Sequence, residues 1–62
     1  MFVEKYNALC KKRNLSDYKV AKDTGIAQSS ISDWKSGKYK PKIDKLKILA
    51  DYFGVSLTYF TE

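Results

Sequence analysis

The chain has 62 residues, with 12 Lys or Arg against 7 Asp or Glu, no histidine and one cysteine. That length holds one domain at most, and the 44% apolar content is enough for one small core. The missing histidine excludes a hydrolase built on a Ser-His or Cys-His pair, and a lone Cys10 leaves neither an internal disulfide nor a ligand set for structural zinc.

No apolar run approaches the roughly 18 residues of a membrane span. Glu4 and Lys5 interrupt the apolar pattern of the first residues, unlike a secretory signal, and a single cysteine suits a reducing cytoplasm. No pair of carboxylates is placed for acid–base work, so an enzyme is not expected, nor is a cofactor or a metal. The net charge of +5 is compatible with a polyanionic partner and equally with a merely solvated surface. Arrangement has to decide between them.

In chain order, residues 2 to 13 place Phe2, Tyr6, Leu9 and Cys10 at helical spacing, with Asn14 as a stop. Ser16 is a good N-cap, and Asp17 suits the positive end of a second helix, "DYKVAKDT", that buries Val20 and Ala21. Gly25 can take the positive φ that turns the chain into a third helix. That helix runs from about Gln28 to Ser36. Ile31 and Trp34 share its core face, while Ser29, Ser32, Asp33 and Ser36 form a wide polar face.

Gly37 ends the third helix, and Pro41 keeps the basic stretch "KYKPK" from being helical. A fourth helix, "IDKLKILADYF", repeats Ile43, Leu46, Leu49, Ala50 and Phe53 at spacings of three and four, and Gly54 closes it. Lys45 and Lys47 on it read as solvating charges. The last residues read as a short helix capped by Ser56, with Leu57, Tyr59 and Phe60 as core candidates. The expected fold is all-α, a compact five-helix domain over residues 1–62.

Two short helices joined through Gly25 have the layout of a helix-turn-helix, whose second helix enters the DNA major groove. The marks are "LS" at 15–16, "VA" at 20–21, "TGIAQSSIS" at 24–32, "W-x-x-GK" at 34–38, Pro41 and "LADYFGVSLTYF" at 49–60. At these spacings the chain resembles the DNA-binding domains of lambdoid phage repressors and Cro. The departures are Ala27, which cannot cap the third helix, and Asp17, where the family often has Gln. Cys10 and Lys35 stand where many members pair Arg with Glu, which leaves Lys35 free to face phosphate.

The resemblance implies roles. Gln28, Ser29, Ser32 and Asp33 match positions facing base edges, and a Gln amide suits adenine. Lys38, Tyr39, Lys40 and Lys42 match a phosphate-clamping loop, with Tyr18, Lys19 and Lys35 as further phosphate candidates. The implied function is sequence-specific binding of double-stranded DNA by a repressor of phage or bacterial promoters.

One such domain offers little groove-reading surface. A homodimer on a pseudo-palindromic operator is expected, with half-sites about one helical turn, ~34 Å, apart. Leu57, Tyr59 and Phe60 are apolar candidates for the dimer contact; the alternative is a missing C-terminal region of a longer repressor. Two rival readings are a protein-interaction module of the same fold, such as an antitoxin or antirepressor target, and a membrane-surface binder. The second would carry its charges along one helix, whereas here they gather in a loop and at helix starts.

Overall fold

The computed structural model describes residues 2–61. Among them are five helices and no strand: α1 (Phe2–Arg13), α2 (Asp17–Thr24), α3 (Gln28–Ser36), α4 (Ile43–Phe53) and α5 (Thr58–Thr61). The helix ends fall where local chemistry places them. Asn14 takes a left-handed φ of 56°, and the N–H of Leu15 donates to the Cys10 carbonyl at 2.8 Å. Gly37, at φ 82°, ends α3 with the N–H of Lys38 on the Asp33 carbonyl at 3.0 Å and its own on Trp34 at 3.2 Å. This is a Schellman closure, and it needs a residue free of the Cβ penalty at positive φ.

The core draws on every helix. Tyr6, Val20, Leu49 and Phe53 are fully buried, and Ile31, Trp34 and Phe60 nearly so. Phe2 joins three helices: its ring stacks on Tyr6 at 5.8 Å, meets Trp34 edge-on at 5.9 Å and lies 5.4 Å from Phe60. Ile26 is also buried, at the turn between α2 and α3. It anchors that turn to the core, and so fixes how the two helices meet.

Three expectations need correction. Ile43 fits the apolar period of α4 but is 59% exposed: it opens the helix at the edge of the apolar face, while Leu46 in the same turn packs against the core. Ser56 does not cap α5: the helix starts at Thr58, and the Ser56 hydroxyl lies 3.0 Å from that of Thr58. Phe60 is only 4% exposed, so it belongs to the core and offers little to a dimer contact. Tyr59 and Leu57 are half-buried, with the Lys5 ammonium 5.1 Å from the centre of the Tyr59 ring.

The chain's one arginine closes the far end of α4. Arg13 donates to the Phe53 carbonyl, one of the last acceptors of that helix, and its guanidinium lies over the Phe53 ring. A cation at a helix C-terminus meets both unsatisfied carbonyls and the negative end of the dipole.

Candidate nucleic-acid interface

The second helix of the helix-turn-helix has a core side and a solvent side. Ile31 and Trp34 hold α3 against the core, at 1% and 3% exposure. Gln28, Ser29, Ser32 and Ser36 are exposed on the other side, and Asp33 is half-buried beside them. The Ser36 hydroxyl donates to the Asp33 carbonyl at 3.0 Å. Among the described residues, the side chains of Gln28, Ser29, Ser32 and Asp33 make no hydrogen bond. At the start of the helix Ala27 has the extended backbone of an N-cap, φ −61° and ψ 135°, but supplies no side-chain acceptor. The N–H groups of Ser30 and Ile31 donate to the Ala27 carbonyl, at 3.0 and 3.3 Å, and those of Gln28 and Ser29 are left to solvent or to a ligand.

After α3 comes a short basic strip. Pro41 is buried and lines an apolar groove of about 420 Å³ with Phe2, Trp34 and Leu46. Its ring moors the loop, while Lys38, Tyr39, Lys40 and Lys42 stay exposed. Among the described residues no carboxylate lies within ion-pair distance of Lys38, Lys40 or Lys42. Their charges are uncommitted.

The start of α2 is different. The Ser16 hydroxyl accepts from the Lys19 N–H at 3.1 Å, the expected cap. Tyr18 is 63% exposed, whereas the Lys19 ammonium sits 3.2 Å from Asp23 one turn on. Asp17 is occupied on both oxygens: it accepts from the Tyr6 hydroxyl at 2.9 Å and from the Lys35 ammonium at 2.8 Å. Sequence alone leaves Lys35 without a partner; the structure gives it one, on α2 rather than on α1. The long reach of a lysine lets it cross to a neighbour that spacing does not reveal.

These bonds leave a titration signature. Burial, and then the hydrogen bond to Asp17, push the Tyr6 hydroxyl well above its ordinary value. The Tyr52 hydroxyl, which donates to Asp23 at 2.6 Å, is raised by that bond, and Asp23 is held below the usual carboxylate range by Tyr52 and Lys19. Burial raises the Cys10 thiol, which makes it a poor nucleophile. Sequence spacing does not reveal the braces Tyr6–Asp17 and Tyr52–Asp23; the one available signal, for Tyr6 alone, is that a buried tyrosine needs a partner for its hydroxyl.

A helix-turn-helix family model matches residues 7–60. The chain belongs to the Cro/repressor-type helix-turn-helix family. It is 32% identical over 56 residues to the HTH-type transcriptional activator BcrR of Enterococcus faecalis, covering 90% of this chain and 28% of that protein. It is 36% identical over 59 residues to the uncharacterized HTH-type transcriptional regulator YobD of Bacillus subtilis (strain 168), covering 95% of this chain and 53% of that one. The chain thus spans about half the length, or less, of these relatives. No solved structure matches it significantly. Among the described residues no helix is long and apolar enough to cross a membrane, and no cluster of side chains is placed to hold a metal ion.

Proposed function

We propose that this helix-turn-helix chain is the operator-binding module of a cytoplasmic bacterial or phage transcriptional regulator. The observation that carries the reading is the pairing of two features: an α3 face on which Gln28, Ser29, Ser32 and Asp33 make no side-chain hydrogen bond, and an adjoining lysine strip with no counter-charge among the described residues. In this reading α3 lies in the major groove. Gln28 makes a bidentate contact to a base edge, Ser29, Ser32 and Asp33 contact neighbouring bases, and small side chains let the helix sit deep. Lys38, Tyr39, Lys40 and Lys42 clamp phosphates beyond the end of α3, with Tyr18 toward the opposite strand and Lys19 beside it only on leaving Asp23.

Repression is the proposed outcome, through occupancy of a promoter by a homodimer on a pseudo-palindrome. One relative is named an activator, and the same docked domain serves either sign of control, which depends on where the operator lies. Selection from random-sequence duplexes tests the reading. Enrichment of a half-site, repeated with two-fold symmetry about one helical turn away, is the expected result. Recovery of unenriched sequences with salt-insensitive binding would count against it, because three uncommitted lysines on phosphates imply a slope of log K on log salt of about −2.7 per domain.

A further inference from the structure

Three helices converge on one carboxylate. Asp17, the first residue of α2, takes the Tyr6 hydroxyl of α1 on one oxygen at 2.9 Å and the Lys35 ammonium of α3 on the other at 2.8 Å. The same ammonium lies 6.0 Å from the centre of the Tyr6 ring. Tyr6 is fully buried, so its hydroxyl is a fixed point, and it fixes the carboxylate in turn. Lys35 is three residues past Ser32 and seven past Gln28, and is therefore near both on the α3 surface. Side-chain tips stand about 5–6 Å from a helix axis, so a rotation of α3 by about 20° would move them by about 2 Å. That displacement would break a contact of 2.8 Å, and it also exceeds the roughly 0.5 Å tolerance of a productive binding geometry.

We propose that Asp17 is a positioning residue: it fixes the rotation of α3 and withholds Lys35 from the DNA phosphates. The domain thereby gives up one sequence-independent contact and gains a defined register for its reading face. The inference rests on the DNA-binding reading above and makes the charge of Lys35 structural.

The test uses the whole chain, a preferred duplex obtained by selection, a random duplex and a series of salt concentrations. Asp17→Asn keeps an oxygen for the Tyr6 hydroxyl but removes the charge that holds Lys35. It should steepen the salt slope on random DNA by about 0.9, one added phosphate. It should also lower the preferred-to-random ratio by about tenfold, the order of one spoiled base contact. Lys35→Met should lower that ratio with the slope unchanged. Asp17→Asn combined with Lys35→Met should return the slope to the wild-type value.

A flatter slope in Lys35→Met would place the lysine on phosphate and overturn the proposal. A steep slope persisting in the double variant would trace the effect to lost repulsion by Asp17 itself, and overturn it too. A wild-type slope near zero would defeat the DNA reading, and is thereby told apart from failure of the positioning role alone. Should a variant not fold, the Lys35 ammonium NMR signal in the wild-type chain decides: it should stay put when random DNA is added, and a shift like that of Lys40 would contradict the assignment.

Discussion

Helices α2 and α3 are neighbours of similar length, yet they treat their polar groups in opposite ways. α2 pairs its cap and its two carboxylates within the protein. Ser16 caps it, Asp17 holds Tyr6 and Lys35, and Asp23 holds Tyr52 and Lys19. α3 begins at an Ala27 that caps nothing and turns Gln28, Ser29 and Ser32 to solvent. The difference is the one expected if α2 supports and α3 reads, as proposed above. Hydrogen-bonding capacity used within the fold orients an element, and capacity left outward is available to a partner. Net charge alone hides this, because Lys35 and Lys40 count equally in the total and act differently in the structure.

The comparison can be strained first at its strongest brace. Tyr6→Phe removes the hydroxyl from Asp17 without creating a cavity, and should cost about 1.5 kcal/mol, the low end for a hydrogen bond to a charged group. Chemical denaturation measures it. The same variant should change the alkaline limb. The native state keeps the Tyr6 proton above pH ~10, where the unfolded chain releases it, so this contribution is whole below ~10 and is lost as pH rises. Wild-type stability should fall above that point, and Tyr6→Phe should fall less steeply.

Next come the caps, where the two helices should answer in opposite directions. Ser16→Ala should destabilise by about 1 kcal/mol. Ala27→Ser should stabilise by about 0.5–1 kcal/mol, since the backbone there already has N-cap geometry. Paired denaturation midpoints check both, and a destabilised Ala27→Ser would mean that the added hydroxyl fails to reach the N–H groups of α3. Smallest of all should be Ser29→Ala with Ser32→Ala, within about 0.5 kcal/mol of wild type, because neither hydroxyl has a partner in the free protein.

What was legible in the sequence is what local chemistry decides. Asn14, Ser16, Gly25, Gly37 and Gly54 punctuate the helices because each meets a backbone need at its own position. The exposed face of α3 follows from a period of 3.6 residues. Pairings across the fold were not legible, because separation along the chain carries no direction. Tyr6 and Asp17 are 11 residues apart, Asp17 and Lys35 18, Asp23 and Tyr52 29, and Arg13 and Phe53 40. Ile43 misleads because periodicity reports a face, and a residue at the edge of that face can stay outside the core. Ile26 is outside any helical period because it follows Gly25 in the turn, yet that turn needs an apolar anchor and buries it.

The most direct test separates reading from clamping. Gln28→Ala and Lys40→Ala are titrated against the selected duplex and a random duplex at two salt concentrations. Gln28→Ala should weaken binding to the selected site by about 1–3 kcal/mol and leave random DNA nearly unchanged. Lys40→Ala should weaken both alike and flatten the salt slope by about one unit. Equal weakening of both duplexes by Gln28→Ala would contradict the placement of α3 in the groove.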